Sequence, residues 1–210
     1  MLQPTGSNGE IFVVDDDPAI RDLLTTLFSR RSYRVLCFAD AESLLTAVKT
    51  HSPACIILDV YIPGKSGLDI LKELNTRQHR APVIVISGKG DIPTAVDAIK
   101  HGALDFIEKP FRGGEVLNRV EEAIAAERQR DAEKAGVERT RFYFPGREPL
   151  TDREQDVLAK LLTGVSNKET GRQLGISHRT VEIHRARIMD KLGARNATDM
   201  VRIALSDNRG

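Results

Sequence analysis

Apolar positions follow two alternating rhythms from Glu10 to about residue 127. Short, β-branched runs occur at "IFVV" (11–14), "YRVLCF" (33–38), "ACIIL" (54–58), "PVIVIS" (82–87) and "ALDFIE" (103–108). Between them the spacing is helical: Ala19-Leu23-Leu24-Leu27, Leu44-Leu45-Val48, Leu68-Leu71-Leu74, Ala95-Val96-Ile99 and Val116-Leu117-Val120-Ile124. Five strands, each followed by a helix, predict a parallel sheet covered on both faces. The runs are apolar throughout rather than alternating, as strands buried on both sides require.

Beyond Ile124 the pattern thins into "AAERQRDAEKAGVERTRFYFPGREP". Good helix formers extend the last helix, and Gly136 and Pro145-Gly146 then mark a linker. From Leu150 the elements are helical and short. Thr151 to Glu154 reads as a capping box, and Ser166 to Glu169 as a second. Ser177 and Asn196 suit two further N-caps, and Gly175 and Gly193 suit left-handed C-caps. Helices over about 167–174 and 178–192, joined by "GIS", form a helix-turn-helix pattern. The expected organisation is a loose tail (1–9), an α/β domain (10–127), a helical linker (128–147) and a small all-α domain (148–210).

Composition narrows the function classes. The 210 residues are 40% hydrophobic and 29% charged, with no run near the roughly 18–20 apolar residues of a membrane span. The start, "MLQPTGSNGE", has neither the basic nor the apolar region of a signal peptide. Cys37 and Cys55 lie in strand-like runs and are expected to be buried, reduced thiols. These features predict a cytoplasmic protein without a membrane partner. The net charge of +1 conceals an asymmetry: from Arg147 onward there are 12 Lys/Arg against 9 Asp/Glu. A basic C-terminal end hints at a nucleic-acid module.

The first strand ends in "DDD", and adjacent carboxylates repel one another. In a parallel α/β sheet the carboxyl ends of the strands form the ligand crevice. Asp15 and Asp16 end the first strand there, Asp59 the third, Ser87 the fourth and Lys109 the fifth. Hard oxygen ligands of this kind suit Mg²⁺, whose charge offsets the repulsion. Asp59 is then placed to act as a nucleophile on phosphorus, with Lys109 countering the phosphoryl charge and Ser87 bonding it. Asp17 and Asp40 read as helix N-caps instead. His51, His79 and His101 have no metal-ligand spacing and receive no role.

This set resembles a response-regulator receiver domain: an acidic pair, the Asp of "LDVYIPGKSGL", a hydroxyl closing the fourth strand, and Lys-Pro after the fifth. The resemblance implies a flavodoxin-like strand order 2-1-3-4-5 and a backbone carbonyl of Tyr61 on the metal. It also implies a cis Lys109-Pro110 bond and Phe106 as the switch aromatic, without the hydroxyl that many relatives carry.

The stretch "LTDREQDVLAKLLTGVSNKETGRQLGISHRTVEIHRARIMDKLGARNATDM" resembles the LuxR-like helix-turn-helix of NarL/FixJ regulators, and "RTVEIHRARIMDKL" looks like the FixJ branch. At 100° per residue, Val181, Ile188 and Leu192 share one face, which is core. Arg179, Glu182, Ile183, Ala186 and, at the edge, Arg187 face the other way. Arg179 and Arg187 suit guanine, Glu182 cytosine N4, and Ile183 a thymine methyl. His184, Arg185, Thr180 and Lys168 are expected on phosphates. Thr170 and Gly171 stand where relatives commonly carry an apolar residue and Ala, which predicts a softer domain or a close helix approach.

The sequence therefore predicts a two-component response regulator, not an enzyme beyond its own phosphorylation and dephosphorylation. A histidine kinase would phosphorylate Asp59 with Mg²⁺. The chain would then dimerise through about 91–108, bind promoter DNA and act on RNA polymerase. A DNA-binding regulator with a vestigial receiver is the main competing reading. A phosphatase of the haloacid dehalogenase type would want an acid two residues after its nucleophile, where Tyr61 stands.

Overall fold

In the computed structural model, residues 8–76, 81–88, 92–134 and 142–206 are described. His79, Asp91, Gly136 and most of the expected tail lie outside them. The chain divides between Ile124 and Ala125 into two compact units.

The first unit contains five parallel strands: β1 (Glu10–Val14), β2 (Arg34–Phe38), β3 (Cys55–Asp59), β4 (Val83–Ser87) and β5 (Asp105–Glu108). Their order is β2-β1-β3-β4-β5, as expected. They alternate with α1 (Pro18–Ser29), α2 (Ala41–Ala47), α3 (Gly67–Thr76), α4 (Ile92–Lys100) and the start of α5 (Gly113–Lys134). Every residue of β3 and β4 is buried, because helices cover both faces of the sheet. Register does the positioning. Val14 pairs with Leu58, so the next residues, Asp15 and Asp59, stand level with each other at the carboxyl edge. Ser87 pairs with Glu108, which brings Lys109 to the same edge.

Asp17 and Asp40 cap α1 and α2, accepting from Ala19 N and Ser43 N. Two expectations change. Cys37 is exposed while Cys55 is buried, because β2 is an edge strand paired only with β1. Asn8 and Gly9, assigned to the tail, are held: Asn8 Nδ2 donates to Arg31 O at 2.8 Å and Gly9 O accepts from Arg34 N at 3.0 Å.

The second unit comprises the rest of α5 with α6 (Asp152–Leu162), α7 (Asn167–Leu174), α8 (His178–Leu192) and α9 (Ala197–Ser206). Arg153 pairs with Glu127 at 2.7 Å and Arg130 Nε with Asp156 at 3.2 Å, tying the end of α5 to α6. Val157, Leu158, Val181, Ile188 and Leu192 form the centre of its core, each fully buried.

The capping reading holds in most places. The Thr151–Glu154 box is complete, Ser177 caps α8, and Asn196 Oδ1 accepts from Asp199 N at 2.9 Å. Gly175 and Gly193 adopt the left-handed C-cap, with φ of 65° and 60°. At Ser166 only half of the expected box forms. Ser166 accepts from Glu169 N, but the Glu169 carboxylate turns to Arg172 and Gln173. An Arg guanidinium one helical turn away offers a carboxylate a charged partner that a backbone amide does not match.

Candidate functional site

Three carboxylates meet at the carboxyl edge of the sheet. Asp15, Asp16 and Asp59 each offer an oxygen within 4.8 Å of the others. Asp15 and Asp59 are buried and Asp16 is exposed, so the cluster is walled on one side and open on the other. Lys109 Nζ reaches into it, 2.6 Å from Asp15 Oδ2 and 2.7 Å from Asp59 Oδ2. Backbone amides supply the remaining order. Asp17 N donates to Asp15 Oδ1 at 3.0 Å, and Tyr61 N to Asp59 Oδ1 at 3.1 Å.

The electrostatics follow from burial and pairing. Burial lifts the Asp15 carboxyl above its ordinary value, and the Lys109 hydrogen bond offsets this only in part. Burial works against the charge of Lys109, but its hydrogen bonds to the Asp15 and Asp59 carboxylates, with their negative charge, prevail and raise its pKa. The ammonium therefore stays charged between two acids, where it limits their mutual repulsion.

Ser87 closes β4, fully buried, and its carbonyl accepts from Lys109 N at 2.8 Å. Phe106 is 8% exposed, so the aromatic ring is turned inward. The Lys109-Pro110 bond is cis. Tyr61 is 48% exposed beside Asp59, with its amide already engaged. His51, given no role, pairs with Glu10 at 3.0 Å, and His101 Nδ1 lies 2.6 Å from Asp97 O.

Two residues of this edge were not singled out from sequence. Gly67 N donates to Val60 O at 2.9 Å, and a Cβ built there would lie 2.1 Å from Asp59 O. Only glycine allows the β3–α3 loop to lie that close to the Asp59 backbone. Its signal was present in "PGKSG". Arg21 Nη1 donates to Asp15 O and Asp16 O at 2.7 and 2.9 Å, a contact no pattern announces.

The second unit presents the outer face of α8. Glu182 and Ala186 are exposed, Arg179, Ile183 and Arg185 half-buried, and Lys168 on α7 exposed. Two expected contacts need correction, and a third side chain also has a partner within the unit. Thr180 is 1% exposed, its hydroxyl 2.7 Å from Ser177 Oγ, and His184 is 3% exposed. Both belong to the core rather than to a phosphate-facing rim, because the buried arc of α8 is wider than its apolar stripe. Arg187 Nε lies 3.4 Å from Glu154, so this guanidinium is engaged within the unit.

A sheet edge of three acids and a lysine, followed along the chain by a helix-turn-helix with an outward polar face, defines a response regulator of transcription. Comparison with known proteins agrees. The model of the response regulator receiver domain matches residues 11–121, and that of bacterial regulatory proteins of the luxR family matches 148–204. The transcriptional regulatory protein FixJ of Bradyrhizobium diazoefficiens is 38% identical over 201 residues, covering 95% of this chain and 96% of the relative. FixJ of Azorhizobium caulinodans is 41% identical over 196 residues, 93% and 91% of the two chains. The solved structure of full-length FixJ from B. japonicum is 35% identical, with a TM-score of 0.52 over 94% of this chain and 96% of that one. The response regulator StyR gives 33% and 0.52, over 94% and 98%. The chain belongs to the NarL/FixJ family of response regulators.

Among the described residues, no helix is long and apolar enough to cross a membrane.

Proposed function

We propose that a phosphoryl group placed on Asp59 by a histidine kinase switches this regulator. The observation that carries the reading is the Lys109 ammonium held between Asp15 and Asp59 at 2.6 and 2.7 Å. A carboxylate oxygen of Asp59 forms a bond to phosphorus while the bond from phosphorus to the donor's imidazole nitrogen breaks. The electron pair leaves with the imidazole, which takes a proton from solvent. Lys109 faces the incoming negative charge, and Ser87 stands at the next strand end to hydrogen-bond a phosphoryl oxygen.

The donor set fits Mg²⁺. All its side-chain atoms are oxygens, and exposed Asp16 leaves an open side where the ion keeps its waters. Asp15, Asp16 and Asp59 would hold it, with the Tyr61 carbonyl as a fourth donor. When bound, Mg²⁺ supplies neutralising charge to the transferring group. The site acts only on its own aspartyl phosphate and is not an enzyme toward other substrates.

The readout is dimerisation through about 91–108 and binding of promoter DNA in the cytoplasm, with RNA polymerase as the eventual partner. Ile92, 66% exposed at the start of α4, gives that surface an apolar contact to bury. A new interface shifts the population by its differential affinity for the phosphorylated state. Light scattering after size exclusion, with Mg²⁺ and beryllofluoride, tests the switch. Wild type should shift from monomer to dimer and Asp59→Asn should not. An equal shift in both, or none in either, would move the reading toward a DNA-binding regulator with a vestigial receiver.

A further inference from the structure

We propose that Arg21 is a positioning residue of the acidic site. It fixes the carboxylates of Asp15 and Asp16 by gripping their backbone rather than their side chains. The inference deepens the metal-dependent reading given above and rests on it.

Arg21 lies in the first turns of α1, where a cation opposes the helix dipole. Its side chain does not turn toward solvent or toward the neighbouring carboxylates. Nη1 reaches back over the helix start and donates to Asp15 O at 2.7 Å and to Asp16 O at 2.9 Å. The choice of acceptor matters. A guanidinium paired with the carboxylates would occupy the oxygens that a metal ion needs. Paired with the carbonyls, it takes none of those oxygens.

Other contacts complete the frame. Asp15 N donates to Phe38 O at 3.2 Å, and Asp17 caps α1 through Ala19 N at 2.8 Å. Asp16 is different. Its carboxylate is exposed, and among the described residues Arg21 donates to its carbonyl at 2.9 Å. Arg21 therefore does most for the ligand that is otherwise least constrained. Supporting partners of this kind set ligand orientation, and their removal costs roughly 10- to 100-fold in metal affinity.

The sign of the effect separates positioning from simple charge. Removing a cation from beside a cation site strengthens metal binding if only Coulomb repulsion changes. Loss of positioning weakens it. Mn²⁺ binding to the full chain, read from the free-ion electron paramagnetic resonance signal, distinguishes the two. Wild type, Arg21→Met and Arg21→Lys would be compared, with Arg30→Met as a charge control at the exposed far end of α1 and Asp16→Asn as a ligand control. Thermal melting in metal-free buffer shows which variants are folded.

Arg21→Met should weaken Mn²⁺ binding roughly tenfold. Arg21→Lys, which keeps the charge and a donor on a shorter stem, should fall between it and wild type. Arg30→Met should match wild type. Affinity equal to or above wild type in either folded Arg21 variant overturns the proposal alone. Failure of wild type to bind Mn²⁺, or an Asp16→Asn variant that binds like wild type, overturns the metal reading and the proposal with it.

Discussion

Thr170 and Gly171 show how adjacent substitutions can carry opposite energies. Thr170 is fully buried in α7, and its hydroxyl has no hydrogen-bond partner among the described residues. A buried, unsatisfied hydroxyl costs about 1–3 kcal/mol, so near-isosteric Thr170→Val should raise the melting temperature of the second unit. Gly171 is different. A Cβ there would lie 2.5 Å from Ile176 O, where the chain turns from α7 into α8. The gain of roughly 1 kcal/mol from better helix propensity is outweighed by backbone displacement. Gly171→Ala should therefore destabilise, by about 1–3 kcal/mol in denaturant unfolding. Gly171 thus allows the close approach of the two helices. The sequence flagged both positions as departures but could not assign their signs, because sign depends on which atoms stand opposite.

At the scale of elements, Glu154 links α6 to α8. Its carboxylate is fully buried, accepts from Thr151 N at 2.8 Å and from Lys191 Nζ at 2.9 Å, and lies 3.4 Å from Arg187 Nε. Burial opposes the ionised form, but the Thr151 bond and the two cations together lower its pKa below the ordinary 4.5. A carboxyl whose pKa falls on folding stabilises the fold fully above its unfolded value. That contribution is lost as pH falls through the folded value. Thermal melts of wild type and Glu154→Gln should thus differ most near neutral pH and converge as pH falls from 4.5 through the lowered folded value. The variant should be weaker by about 1–3 kcal/mol at neutrality, since Lys191 loses a buried partner. The capping box was legible in "TDRE", as was the stripe of Val181, Ile188 and Leu192. The reach of Lys191 and Arg187 to Glu154 was not, because these residues are more than 30 positions apart in sequence.

For the whole molecule, the outward face of α8 divides into roles that binding experiments can separate. Arg185 is assigned to phosphate, so Arg185→Ala should weaken all duplexes alike and reduce the salt dependence of binding by roughly one ion. Glu182 is assigned to a base edge. Glu182→Ala should leave the salt slope unchanged and relax preference at one position, by about 1–3 kcal/mol of discrimination. Equal salt slopes for wild type and Arg185→Ala in fluorescence anisotropy would count against this division of labour.

What the sequence determined by itself was periodic or local. Strand and helix order, the helix caps, the left-handed glycines and the residues at each strand's carboxyl end all follow from rules that act within a few positions. The convergence of Asp15, Asp59, Ser87 and Lys109 was legible too, because a parallel sheet brings the same ends of its strands together. Tertiary structure decided the rest. It buried Thr180 and His184, exposed Cys37 on an edge strand, drew Arg187 to Glu154 and aimed Arg21 at two carbonyls. Each of these depends on what packs against the residue from elsewhere in the chain. Burial and partner choice are properties of the space around a side chain, and periodicity specifies only its direction.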